Sequence, residues 1–163
     1  MVRSLSSTHG LVTVSTEPLG PYTIAHLSIN RPPVNSFDMT LVSDFTATFK
    51  ELANSREVQA VVVKSSLPTV FSAGIDFKEL CGASQEDLRQ LWAMIRDMWF
   101  QLYSSRVTTI AAISGHCLAG GTLIAAACDH RIATRGDFKI GVSAAKLGLV
   151  PPHWFLKNLA HLT

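Results

Sequence analysis

Short β-branched runs alternate along this 163-residue chain with longer stretches whose apolar residues recur every three to four positions, and that alternation limits the folds open to it. Residues 11–14 (LVTV) and 22–29 (YTIAHLSI) read as paired strands around a Pro18-Leu19-Gly20-Pro21 turn, and Arg31-Pro32-Pro33 stops the second. Leu41, Phe45, Phe49 and Leu52 mark one face of a helix starting near Asp38, and residues 58–64 return as a buried strand. Ser84, with Asp87 three residues on, caps a longer helix whose stripe of Leu88, Leu91, Trp92, Ile95, Trp99 and Leu102 is expected to face the core. A strand over 107–114, a small-residue helix over 121–128, a strand over 130–133 and an amphipathic helix beyond Pro151 complete the pattern. Strands and helices alternating in this βαβ manner predict an α/β layered fold with parallel strands.

Composition narrows the function classes. With 47% apolar and 16% charged residues the chain reads as globular, and its length makes one domain the default, taken here as residues 11–163. A net charge of +2 with no basic run gives no electrostatic case for nucleic acid. No run of about eighteen uncharged apolar residues suggests a membrane span. Cys81, Cys117 and Cys128 are odd in number and lack metal-ligand spacing, which argues against a disulfide framework or a zinc site and for a reducing compartment. Residues 1–10 carry Arg3 and three serines, and no acidic residue precedes Glu17. That composition suits a mitochondrial leader, and a frayed polar terminus in a cytoplasmic or peroxisomal protein equally well.

Two glycine-bearing stretches hold the chemistry. Residues 71–76 (FSAGID) and 115–122 (GHCLAGGT) each follow a β-like run and lead toward helical sequence. Glycine lets main-chain N–H groups approach a ligand oxygen, and a helix beginning there adds its positive end. Two such sites facing each other would form an oxyanion hole.

The segments 30–36 (NRPPVNS), 71–80 (FSAGIDFKEL), 119–121 (AGG), 128–132 (CDHRI) and 147–149 (LGL) resemble, in order and spacing, the motifs of the crotonase superfamily, the enoyl-CoA hydratases and isomerases. The resemblance extends from Leu11 onward. Cys81-Gly82, Trp99, Leu102-Tyr103 and Pro152-His153-Trp154 are most similar to the mitochondrial Δ3,Δ2-enoyl-CoA isomerase branch. It implies a ClpP-like spiral of ββα turns, in a family that trimerises through C-terminal helices. No stretch of these residues corresponds to those helices, so that region is expected to be absent, and homo- or hetero-oligomerisation stays open.

For the site, the resemblance implies that the Ile75 and Gly120 amides are the oxyanion donors. It further implies that Ala73, Gly74, Asp76, Phe77 and Ser143 line an acyl-CoA or enoyl-CoA substrate. CoA would be part of the substrate, with no separate cofactor and no metal. The implied reaction shifts a 3-enoyl-CoA double bond to the 2-trans position through a stabilised dienolate. The three positions where relatives place a catalytic glutamate are, however, Leu123, Ala144 and Pro152 in this chain. A positioned general base is worth about 10²–10⁴-fold, so the oxyanion pair alone predicts a weak catalyst. Two readings therefore stand: an isomerase with a displaced base, drawn from His116, Cys117, His153 or Asp76, and a catalytically weak acyl-CoA-binding or assembly subunit. Ser72 lies in half of a nucleophile elbow, but Val70 stands where the first glycine belongs, so a serine hydrolase is a remote third.

Overall fold

The computed structural model describes residues 7–162; residues 1–6, within the stretch read as a leader or frayed terminus, and Thr163 lie outside them. The chain opens with β1 (Ser7–His9), β2 (Val12–Leu19) and β3 (Tyr22–Ile29). These form an antiparallel meander in which Val12 stands opposite Ile29 and Leu19 opposite Tyr22. The first strand runs on past residue 14 to Leu19, so Pro18 and Leu19, expected in the turn, pair with Thr23 and Tyr22, and the turn itself is only Gly20-Pro21.

From there the chain repeats one unit. The two-residue β4 (Ser36–Phe37) leads into α1 (Met39–Asn54), which begins where Asp38 accepts a 2.7 Å hydrogen bond from the Leu41 N–H. The second unit is β5 (Val58–Ser65), β6 (Val70–Ser72), β7 (Gly74–Ile75), the short α2 (Phe77–Leu80) and α3 (Gln85–Tyr103). A third follows with β8 (Thr108–Ile113), β9 (His116–Leu118) and α4 (Gly120–Ala127). Last come β10 (His130–Ala133), β11 (Ile140–Gly141), a 3-10 turn at Ala144–Leu147 and α5 (His153–Ala160).

The strands sort into layers. One sheet has the order β1-β2-β3-β5-β8-β10, parallel from β3 onward; a second has the order β11-β9-β6, all parallel; β4 and β7 form a parallel pair. Each later turn thus sends its first strand to the large sheet and its second to the small one before a helix returns, which is the ββα spiral the resemblance implied. The two- and three-residue strands carry no periodicity of their own, and the sequence reading missed them.

Helix α3 shows how the local signals act. Ser84 and Asp87 exchange both capping-box hydrogen bonds, and Leu91, Ile95, Met98 and Leu102 are buried against the core. Burying each such side chain contributes about 1.5–3 kcal/mol. Met98 completes the stripe that the sequence reading left one residue short. Leu88, Trp92 and Trp99, expected in the core, are only half-buried because they face α5 and the hollows beside it. Trp99 stacks on Tyr103 with ring centroids 4.9 Å apart, packs against Trp154 at 4.8 Å in a tilted arrangement, and donates from its indole to the buried Asn158 at 3.2 Å. On α5 Phe155 is buried and Trp154 and Leu159 rest on the core, while Leu156, and Leu162 just beyond the helix, are exposed.

Candidate functional site

Two peptide segments meet at the start of α4. Gly74 has φ +89°, and a Cβ built on it would lie 2.5 Å from the Gly120 nitrogen and 2.8 Å from the Ala119 Cβ. A Cβ on Gly120 would in turn meet the Phe37 ring at 2.6 Å and the Gly74 Cα at 3.0 Å. Only glycine at both positions allows this approach. Ala119, the residue before α4, is held at φ 47°, ψ −109°, which an L-residue adopts at a cost of about 1–3 kcal/mol. That turn presents the Gly120 N–H as the first, unpaired donor of a helix. Across from it, the Asp76 N–H donates to the Phe37 carbonyl at 2.8 Å. The alternation of an extended chain then turns the preceding Ile75 N–H the other way, out of the β4–β7 pair.

A polar bracket fixes this loop. Asn35, buried with φ 50°, donates to the Phe71 carbonyl at 3.0 Å and to Ser65 Oγ at 2.8 Å, while its Oδ1 accepts from the Arg31 N–H at 2.7 Å. Arg31 then spans two carboxylates, Asp38 at 2.9 Å and Asp76 at 3.0 Å, so one guanidinium ties the α1 cap to the residue after Ile75. The Lys78 N–H, first, and then Arg31 and Ser36 hold the Asp76 carboxyl below the usual carboxylate range. Ser72 is fully buried, donating to the Asn35 carbonyl at 2.7 Å and accepting from the Gly74 N–H at 3.1 Å. Its hydroxyl is committed to the backbone and shielded from solvent, which rules out the hydrolase reading.

The two segments open onto a cavity of about 140 Å³. Ala73, Ile75, Phe77 and Leu80 line it from the first loop; Trp92 and Ile95 from α3; Ala119, Gly120 and Leu123 from the start of α4. Val142, Ser143, Ala144 and the segment 149–152 with Phe155 complete the wall. Of the sequence-derived site residues, Ala73, Ile75, Phe77, Gly120 and Ser143 are thus brought together. Gly74 lies beneath the surface against Gly120, and Asp76 turns away to Arg31. Leu123, Ala144 and Pro152, the three positions at which the resemblance implied a carboxylate, all face this one cavity, and among the described residues no Asp, Glu, His, Cys, Tyr, Lys or Arg lines it. Trp92, Leu80, Ile95 and Phe155 were missed as wall residues because their spacing marks only an apolar helix face.

The substitute bases lie elsewhere. His116 Nδ1 accepts from the Lys139 N–H at 3.1 Å, and His153 is exposed at the start of α5. Burial pushes the Cys117 thiol up to about 12, leaving it protonated and inert at neutral pH. Among the described residues no group of three or more His, Cys, Asp or Glu could hold a metal ion, and no helix is long and apolar enough to cross a membrane.

Comparison with known proteins agrees with this architecture. The family described as enoyl-CoA hydratase/isomerase matches residues 20–162. Mitochondrial enoyl-CoA delta isomerase 1 of Mus musculus is 35% identical over 145 residues, covering 88% of this chain and 50% of that protein. Mitochondrial methylglutaconyl-CoA hydratase of Homo sapiens is 33% identical over 129 residues, covering 78% and 38%. The crystal structure of human mitochondrial delta3-delta2-enoyl-CoA isomerase superposes with a TM-score of 0.83 at 33% identity, covering 90% of this chain and 57% of that one. The chain spans about half the length of the isomerases it matches. With the family pattern running through nearly all of its length and the ββα spiral in place, this chain belongs to the enoyl-CoA hydratase/isomerase family of the crotonase superfamily.

Proposed function

We propose that this chain binds an enoyl-CoA thioester with its carbonyl oxygen between the Ile75 and Gly120 amides, and that it activates that carbonyl in the manner of a Δ3,Δ2-enoyl-CoA isomerase. Loss of a proton from C2 places negative charge on the thioester oxygen as a dienolate forms, and return of a proton at C4 leaves the double bond at the 2-trans position. Donors roughly 2.7–3.1 Å from that oxygen are worth about 3–4 kcal/mol each. The reaction draws on no metal and no redox cofactor, CoA entering as part of the substrate.

The observation that carries this reading also limits it. Both peptide units open onto one apolar cavity, yet Leu123, Ala144 and Pro152 leave its wall without a proton carrier. The chain by itself is therefore a binder and a weak isomerase. Leu123, where hydratases place a glutamate, disfavours water addition. The names of the mitochondrial relatives support a mitochondrial location. Imaging of a tagged full-length protein checks it.

Calorimetry with a medium-chain acyl-CoA tests binding, and failure of a well-folded sample to bind any acyl-CoA refutes the function. The catalytic half is tested by Ala144→Glu, which restores a carboxylate in the cavity wall and is expected to raise 3-enoyl to 2-enoyl conversion about 10²-fold or more. A wild-type rate equal to that of ordinary isomerases, abolished by His153→Ala, would instead establish a displaced base.

A further inference from the structure

Beside the acyl cavity lies a second hollow of about 420 Å³, and the two meet at Trp92 and Pro152, which line both. Its wall on α3 is cationic. Arg89, Trp92, Ala93 and Arg96 fall at i, i+3, i+4 and i+7 and so share one helix face, and Trp154 of α5, braced by its tilted contact with Trp99, adds the facing side. Arg96 makes no hydrogen bond or ion pair among the described residues; its charge is felt by the neighbouring Asp97 carboxylate, whose two oxygens accept from Lys50 at 2.8 Å and Gln101 at 3.1 Å. Arg89 reaches only Glu86 and Gln85 on its own helix, at 3.2 and 3.4 Å in the open, and exposed pairs of that kind are readily exchanged for a better partner. Among the described residues no carboxylate lines the hollow.

The sizes of the two spaces give the arrangement a use. A void of about 150 Å³ takes a benzene-sized apolar group, so the acyl cavity accommodates about six carbons beyond the carbonyl. A longer chain must leave it, and an exit on the side of Trp92 and Pro152, the wall residues the two spaces share, would bring its far end to Arg89 and Arg96. A terminal methyl gains nothing from two guanidinium groups, whereas a carboxylate accepts charge-assisted, bidentate hydrogen bonds from them while the tryptophans cover its methylenes.

We propose that this hollow is an anion subsite for the terminal carboxylate of a long dicarboxylic acyl thioester, so that the protein selects acyl-CoA chains ending in an acid over those ending in a methyl group. The inference rests on reading the neighbouring cavity as the acyl site.

Calorimetry with length-matched pairs tests it: hexanoyl- against adipoyl-CoA, and dodecanoyl- against dodecanedioyl-CoA, with free CoA as the control. The acid is expected to bind about tenfold more tightly than its methyl-ended partner in the long pair and no better in the short pair. Arg89→Gln combined with Arg96→Gln, both at exposed positions, is expected to bring the long-pair ratio to about one. Equal affinities in the long pair, or the same preference at both lengths, overturns the proposal. So does a double variant that weakens free CoA as much as it weakens dodecanedioyl-CoA, since the arginines would then be holding CoA phosphates. If no thioester binds at all, the reading of the acyl cavity fails first; if methyl-ended thioesters bind and the acid gains nothing, only the subsite fails.

Discussion

Replacing Gly74 with alanine would put a methyl group where the structure has none to spare. Two costs add. The residue sits at φ +89°, outside the region an L side chain favours, and forcing alanine there costs about 1–2 kcal/mol. The new Cβ would also stand 2.5 Å from the Gly120 nitrogen and 3.1 Å from the Leu118 carbonyl oxygen, backbone atoms that cannot swing aside, which adds roughly 1–3 kcal/mol of overpacking. Gly82 supplies the control, since its φ is +92° but a Cβ there meets nothing within 4 Å. Gly82→Ala is therefore expected to cost only the backbone part, and Gly74→Ala about 2–5 kcal/mol in all. Urea unfolding of the two variants beside wild type measures both values. Acyl-CoA affinity, read on the same samples, is expected to fall for Gly74→Ala, because relief of the clash separates Ile75 from Gly120, and to hold for Gly82→Ala. Equal destabilisation by the two substitutions would refute the close approach of the two segments, and with it the physical basis of the paired donors.

Other outcomes follow from charge and burial. Because the folded-state pKa of Asp76 is lowered, its stabilising contribution is fully present above the unfolded value of 3.8 and is lost as pH falls through the lower folded value. The stability difference between wild type and Asp76→Asn is thus expected to be constant near neutral pH and to narrow as the pH falls below 3.8; a difference in urea titrations that does not narrow in acid contradicts the hydrogen bonds that Lys78, Arg31 and Ser36 give this carboxylate. Of the three thiols, Cys81 is exposed while burial pushes Cys117 and Cys128 up to about 12. A native sample is expected to react with one equivalent of a thiol reagent and a denatured sample with three, and prompt native reaction at a second cysteine would contradict the packing around α4.

What the sequence determined by itself was whatever a single turn or a single run of chain can encode. The Ser84–Asp87 capping box starts α3, the spacing of Leu91, Ile95 and Leu102 turns it inward, and Asp38 starts α1, because each signal acts between residues three to four apart. The β-branched runs at β5 and β8 likewise declared themselves, and the family motifs singled out the loops around Gly74 and Gly120. The tertiary structure decided the rest. Strands β4, β6, β7 and β9 exist only because distant backbone pairs with them, so two or three residues carry no periodicity to read. Asp76, close in sequence to the site, is drawn away from it by Arg31, forty-five residues earlier. Ser72 is locked by Asn35 from the same distant loop. Leu123, Ala144 and Pro152 lie up to twenty-nine residues apart and were linked only by the family resemblance; the spiral brings them to one wall, and it sets two arginines of α3 on the hollow beside it. Which groups share a cavity depends on contacts between separate turns of the spiral, and local propensity, which ends within a turn or a strand, carries no record of them.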